Sequence, residues 1–157
     1  MRTRWSKSLV GSTLLIGGLW ATAGFADFSN IPPGVEKQLE RQAEELIAIS
    51  ETYVDALTVP GNEGVLLHPD VRRWTQQNIA EPPRNDDRDE LLESIAEEDL
   101  DGVITNRRWT VDVVRQETFL IADIVLEGLP LPITLYERFL IEDGLILEIE
   151  AIFLSPF

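Results

Sequence analysis

The chain of 157 residues has no cysteine, a single histidine and a single methionine. The missing thiols exclude disulfides, thiolate nucleophiles, thiolate-ligated zinc, iron–sulfur clusters and lipidated-cysteine anchors. With His68 alone, no serine has a histidine base, and no spacing brings His68 together with several acids, so neither a nucleophilic triad nor a metal site is expected. No glycine-rich phosphate loop is present, and no cofactor is implied. Cations are scarce as well: 13 Lys and Arg stand against 28 Asp and Glu, a net charge of −15. Binding to a phosphate backbone needs clustered cations, so nucleic acid is excluded as a partner. Internal repeats and low-complexity stretches are also lacking.

What is there begins with an address. Arg2, Arg4 and Lys7 precede an apolar, Gly/Ser/Thr-rich run from Leu9 to Trp20, and small residues follow as Ala21-Thr22-Ala23 or Gly24-Phe25-Ala26. That is the layout of a cleaved secretory signal, residues 1–26. The glycines make the run poor as a membrane span, which needs about 20 strongly apolar residues. Cleavage leaves no membrane anchor and points to a bacterial periplasm or to secretion. It also removes three of the 13 cations, leaving ten against 28 acids, net −18.

The remainder is sized for one domain, and 44% hydrophobic residues support a packed core. After a stiff lead-in (27–34), Val35, Leu39, Ala43, Leu46, Ile49, Tyr53 and Leu57 recur every three or four residues. They form one stripe of an amphipathic helix over about 34–58. His68-Pro69-Asp70 reads as a turn, and 81–87 reads as a loop whose Asn85 or Asp86 caps a second helix with Leu91, Leu92 and Ile95 buried. From Val103 the period changes to two, and strands are expected at about 104–115, 118–127, 132–141 and 145–153, the last pair joined by Asp143-Gly144. Helices followed by hairpins give an α+β fold, one helical layer on a curved antiparallel sheet.

Three strings carry a family likeness: Ser50-Glu51-Thr52-Tyr53-Val54-Asp55-Ala56-Leu57, Leu67-His68-Pro69-Asp70-Val71, and Tyr136-Glu137-Arg138-Phe139-Leu140-Ile141-Glu142-Asp143-Gly144-Leu145-Ile146. In their order the chain from 35 to 157 resembles the nuclear-transport-factor-2-like superfamily, which includes ketosteroid isomerase, limonene epoxide hydrolase and SnoaL-like cyclases. The resemblance implies a cone-shaped single domain whose sheet wraps a pocket for a small apolar molecule, and a homodimer formed through the sheet. It does not transfer a catalytic set. The positions of the ketosteroid isomerase acids align near Trp74 or Thr75 and near Leu135, and the hydrolase set aligns with Asp123, Val125 and Ala151. Both an acid–base enzyme and a non-catalytic binding or assembly module are compatible with this fold.

Strand parity supplies candidates. On 132–141 the inner face reads Ile133, Leu135, Glu137, Phe139, Ile141, so Glu137 interrupts an apolar face. A hairpin centred on Pro130 would set Asp123 directly opposite Glu137. Two such carboxylates cannot both ionise cheaply in a low-dielectric pocket, and an acid would stand beside a base. A shift of one residue would instead put them on opposite faces. Tyr53 could donate a hydrogen bond into the pocket, or be core. Trp74, Trp109, Phe119, Phe139 and Leu135 are the candidate walls. Parity across the Asp143-Gly144 turn pairs Ile141 with Leu145 and Arg138 with Glu148 on the outer face.

Overall fold

The structure, a computed structural model, describes residues 32–58, 64–76, 82–97 and 102–154. The expected signal segment 1–26 and most of the lead-in lie outside the described residues. The elements run α1 (Pro33–Ala56), β1 (Leu67–Gln76), β2 (Arg84–Asp86), α2 (Arg88–Glu97), β3 (Gly102–Asp112), β4 (Glu117–Leu126), β5 (Ile133–Glu142) and β6 (Leu145–Leu154).

The stripe expected on α1 is the buried one: Ala43, Leu46, Ile49, Tyr53 and Leu57 are all in the core, while Val35 near the helix start is exposed. Each fully buried aliphatic side chain contributes about 1.5–3 kcal/mol. Ser50 joins this stripe because its hydroxyl lies 2.7 Å from that of Thr118 on β4, so both buried hydroxyls are satisfied. The second helix is capped one residue later than expected. Asp87 Oδ1 accepts from the amides of Asp89 and Glu90, and Glu90 Oε2 accepts from the Asp87 amide, a capping box. Asp86 is thereby released for an interior role. On α2, Leu91 and Ile95 are buried, whereas Leu92 is exposed.

The sheet has the order β2-β1-β6-β5-β4-β3 among the described residues. All neighbours are antiparallel except β1 and β6, which run parallel. The expected four strands are thus joined by two more, and His68-Pro69-Asp70 belongs to β1. The β1–β6 ladder breaks between Leu67 and Arg72, and Pro69 has no amide to donate to it.

Two further irregularities set which side chains face the helices. On β3 one extra residue lies between Thr105 and Arg108, with Asn106 at φ 53. This bulge turns Arg107, Trp109 and Val111 toward α1, where Arg107 pairs with Glu51 and Asp55 and Trp109 Nε1 donates to Glu51 at 2.7 Å. On β6 the register shifts at the Leu140/Ile141 step, so Ile141 faces Ile146 and Arg138 faces Glu150. The Ile141–Leu145 and Arg138–Glu148 pairing expected from the turn is corrected accordingly. Both Ile146 and Ile149 are buried because the extra residue lies between them. At the turn itself Asp143 and Gly144 both take positive φ (50 and 76), as a tight hairpin of this sequence requires.

On the outer face, Arg138 gathers Glu117, Glu148 and Glu150 at 2.8–2.9 Å. Its bond to Glu150 holds that carboxyl below its ordinary value of 4.5, against a smaller opposing effect of burial. A lowered carboxyl pKa stabilises the folded state above 4.5 and ceases to do so as the pH falls through the folded-state value. Glu150→Gln should therefore weaken the fold at pH 7 by up to about 1 kcal/mol, since the pair is half exposed. In urea titrations the gap between variant and wild type should close on acidification below 4.5.

Candidate functional site

The interior polar cluster grows from β1. There Val71, Arg73 and Thr75 point toward the helices and are buried, while Arg72 is exposed and Trp74 half-buried on the other face. An arginine on a core-facing strand position needs its charge met inside the protein. Asp86 of β2, itself 3% exposed, does this: Arg73 Nε donates to Asp86 Oδ2 at 2.8 Å, and Nη2 stands 2.7 Å from the same oxygen. Nη1 donates to the Tyr53 hydroxyl at 3.1 Å and Nη2 to Ser94 Oγ at 2.9 Å. Burial opposes this charge, but Tyr53 and Asp86 more than offset it and raise the guanidinium pKa above its ordinary value. One residue thus links α1, β1, β2 and α2. The other oxygen of Asp86 accepts from Arg84 Nε at 2.5 Å.

Beside this cluster lies a cavity of about 190 Å³. Its lining mixes polar residues, Tyr53, Arg73, Thr75, Arg84 and Glu137, with apolar ones, Leu57, Ile124, Leu135, Ala151 and Phe153. Such a volume exceeds the ~150 Å³ that holds a benzene ring in an engineered cavity. Tyr53 accepts a charge-assisted bond from Arg73, which polarises its O–H and strengthens whatever bond that hydrogen makes. Glu137, 4% exposed, faces Leu120 and Ala151 on the neighbouring strands. It is a carboxylate embedded in the inner face.

The candidate residues therefore separate. Tyr53, Glu137 and Leu135 line the cavity. Phe139 is fully buried against the edge of Tyr53, at a ring distance of 5.7 Å, and supports the wall from behind. Trp109 packs on Phe139 at 6.0 Å and bonds Glu51, so it closes the core under α1 and does not line the cavity. Asp123 is not opposite Glu137. It faces Thr134, on the other side of the sheet, and accepts from Asn106 Nδ2 at 2.7 Å. The β4–β5 register is centred between Gly128 and Leu129 instead of on Pro130, an odd shift that puts the two acids on opposite faces. Phe119 faces Arg138 on that same outer surface, and Trp74 faces Glu150 there, so neither is a wall. Arg107 is held by Glu51 and Asp55 of α1, and Arg108 is exposed.

Sequence reasoning missed Arg73, Asp86, Arg84 and Thr75. The alternation Val71, Arg73, Thr75 against Arg72, Trp74, Gln76 was available, but apolarity alone favours the tryptophan face. Among the described residues no group of three or more His, Asp or Glu side chains could hold a metal ion.

This architecture, helices on a curved sheet with a cavity between them, has the nuclear-transport-factor-2-like fold. Residues 40–153 match a family described as a domain of unknown function, DUF8021, and the chain belongs to that family. No curated protein matches the sequence. Among solved structures, a candidate ketosteroid isomerase from Kribbella flavida superposes with a TM-score of 0.57 at 18% identity, covering 74% of this chain and 82% of its own. A candidate isomerase from Rhodopseudomonas palustris gives 0.53 at 11% identity, covering 69% and 88%. An NTF2-like protein of unknown function from Cytophaga hutchinsonii gives 0.51 at 14% identity, covering 69% and 88%. These likenesses concern the fold.

Two substitutions separate the charges from the cavity. Asp86→Asn leaves Arg73 buried without its counter-charge and should cost about 3–5 kcal/mol. Thr75→Val should be neutral or stabilise by about 1 kcal/mol, because Thr75 Oγ1 is buried with no hydrogen-bond partner among the described residues. Chemical denaturation of both variants reads the contrast directly.

Proposed function

We propose that this chain is an exported protein that binds a ring-sized, mostly apolar molecule with one polar group, and moves a proton on it. The observation that carries this reading is the cavity itself: a space sized for one ring, lined by apolar side chains together with the Glu137 carboxyl and the Tyr53 hydroxyl. A carboxylate can take or return a proton, and a polarised phenol can stabilise the oxygen on which charge develops. Isomerisation, the activity in the names of the Kribbella and Rhodopseudomonas proteins, is chemistry of this kind. Asp123, on the outer face, has no part in it. Export rests on the layout of residues 1–26 and is part of the same proposal.

The outer face favours self-association. Val125, Tyr136, Ile152 and Leu154 are exposed there, and Tyr136 faces both Ile121 and Ile152 across its neighbouring strands. A contiguous apolar surface of this kind is what a second copy of the sheet would cover. This assembly leaves the cavity on the opposite face untouched, so a purely structural dimer remains the second reading.

Native mass spectrometry of the protein from its own cells should find a retained ring-sized molecule. Calorimetry with phenol and cyclohexanone should show saturable binding that Ala151→Phe abolishes by filling the cavity. Glu137→Gln should keep this binding and, once a substrate is in hand, lower turnover by about 10²–10⁴-fold. Binding that survives Ala151→Phe unchanged would contradict the assignment of the site.

A further inference from the structure

Two guanidiniums meet this cavity, and they are in different chemical states. Arg73 is engaged along its whole fork, with Nε and Nη2 on Asp86, Nη1 on Tyr53 and Nη2 also on Ser94. Arg84 is not. Its Nε is pinned to Asp86 Oδ1 at 2.5 Å, and its two terminal nitrogens make no hydrogen bond or ion pair among the described residues. The Arg84 side chain is 54% exposed, whereas Glu137 in the same cavity is 4% exposed. Arg84 therefore stands at the mouth and Glu137 at the floor.

This polarity along the cavity constrains what enters. The floor is a buried acid, and bringing a further charge down to it is unfavourable. The mouth offers a planar pair of N–H donors, oriented because the third guanidinium nitrogen is held by a buried acid. The apolar part of the lining is Leu57, Ile124, Leu135, Ala151 and Phe153. A planar fork of two donors matches a carboxylate bidentately better than it matches a carbonyl or hydroxyl. Building on the pocket reading above, we propose that Arg84 is a specificity residue that selects carboxylic acids: the ring lies against the apolar wall, and the carboxylate stays at the mouth on Arg84. The reactive end of such a ligand then points toward Tyr53 and Glu137, and its charge stays clear of the Glu137 carboxylate. This narrows the substrate class to small cyclic carboxylates.

The test compares benzoate with benzamide, which has nearly the same shape and no charge, by calorimetry on the full chain. Wild type should bind benzoate about tenfold tighter than benzamide, the worth of a partly exposed charge-assisted pair. Arg84→Gln should weaken benzoate by that factor and leave benzamide unchanged. Arg84→Lys should recover only part of the preference, because an ammonium carries the charge without the fork. Equal binding of the two ligands by wild type, or equal weakening of both by Arg84→Gln, would overturn the role of Arg84 while leaving the pocket intact. Binding of neither ligand would overturn the pocket reading and this inference together.

Discussion

The pair formed by Arg73 and Asp86 is the interaction on which the rest of the structure depends. Both groups are nearly inaccessible to water, and removing charges from water is unfavourable unless each finds a close partner and further hydrogen bonds. Here those bonds go to Tyr53 on α1, Ser94 on α2 and Arg84 on β2. The strand β2 has only three residues and only one neighbour in the sheet. Its place against β1 is fixed by this pair as much as by its ladder. A corner closed by charges cannot be closed by aliphatic side chains as well, and the space beside it is the cavity.

Charge also organises the opposite side of the sheet. The outer surface is divided between the Arg138 cluster, with its three glutamates, and the apolar stretch around Tyr136 and Ile152. Most of the acidic excess lies on exposed positions, where it maintains hydration and solubility. Among the described residues the fold takes Asp86, Glu137 and Asp112 inside, the first two at 3% and 4% exposure. Glu137 lines the cavity and Asp86 holds the Arg73 that lines it, whereas Asp112 accepts from the Val114 and Arg115 amides.

Much of this was legible in the sequence because it follows from period. The α1 stripe, the four C-terminal strands and the inward direction of Glu137 come from spacing of 3.6 and 2 within single elements. What spacing cannot give is pairing between elements. The extra residues on β3 and β6, and the centre of the β4–β5 hairpin, each shift register by a small amount, and an odd shift reverses a face. The facing of Asp123 and Glu137 was lost for this reason. Strand β1 was hidden because His68-Pro69-Asp70 interrupts its ladder. Arg73 was hidden because an inward arginine is stable only beside an acid from a segment 13 residues away, and no local pattern announces that partnership.

The chain offers a direct probe of the central claim, that the inner cavity is the binding site. It has two tyrosines: Tyr53 lines the cavity and Tyr136 is exposed on the outer face. Fluorine NMR of the protein labelled with 3-fluorotyrosine, titrated with phenol, cyclohexanone and benzamide, reports on both faces in one spectrum. The account predicts that the Tyr53 resonance moves saturably while the Tyr136 resonance stays in place. Movement of Tyr136 alone, or no movement of Tyr53 with any of the three, would contradict it.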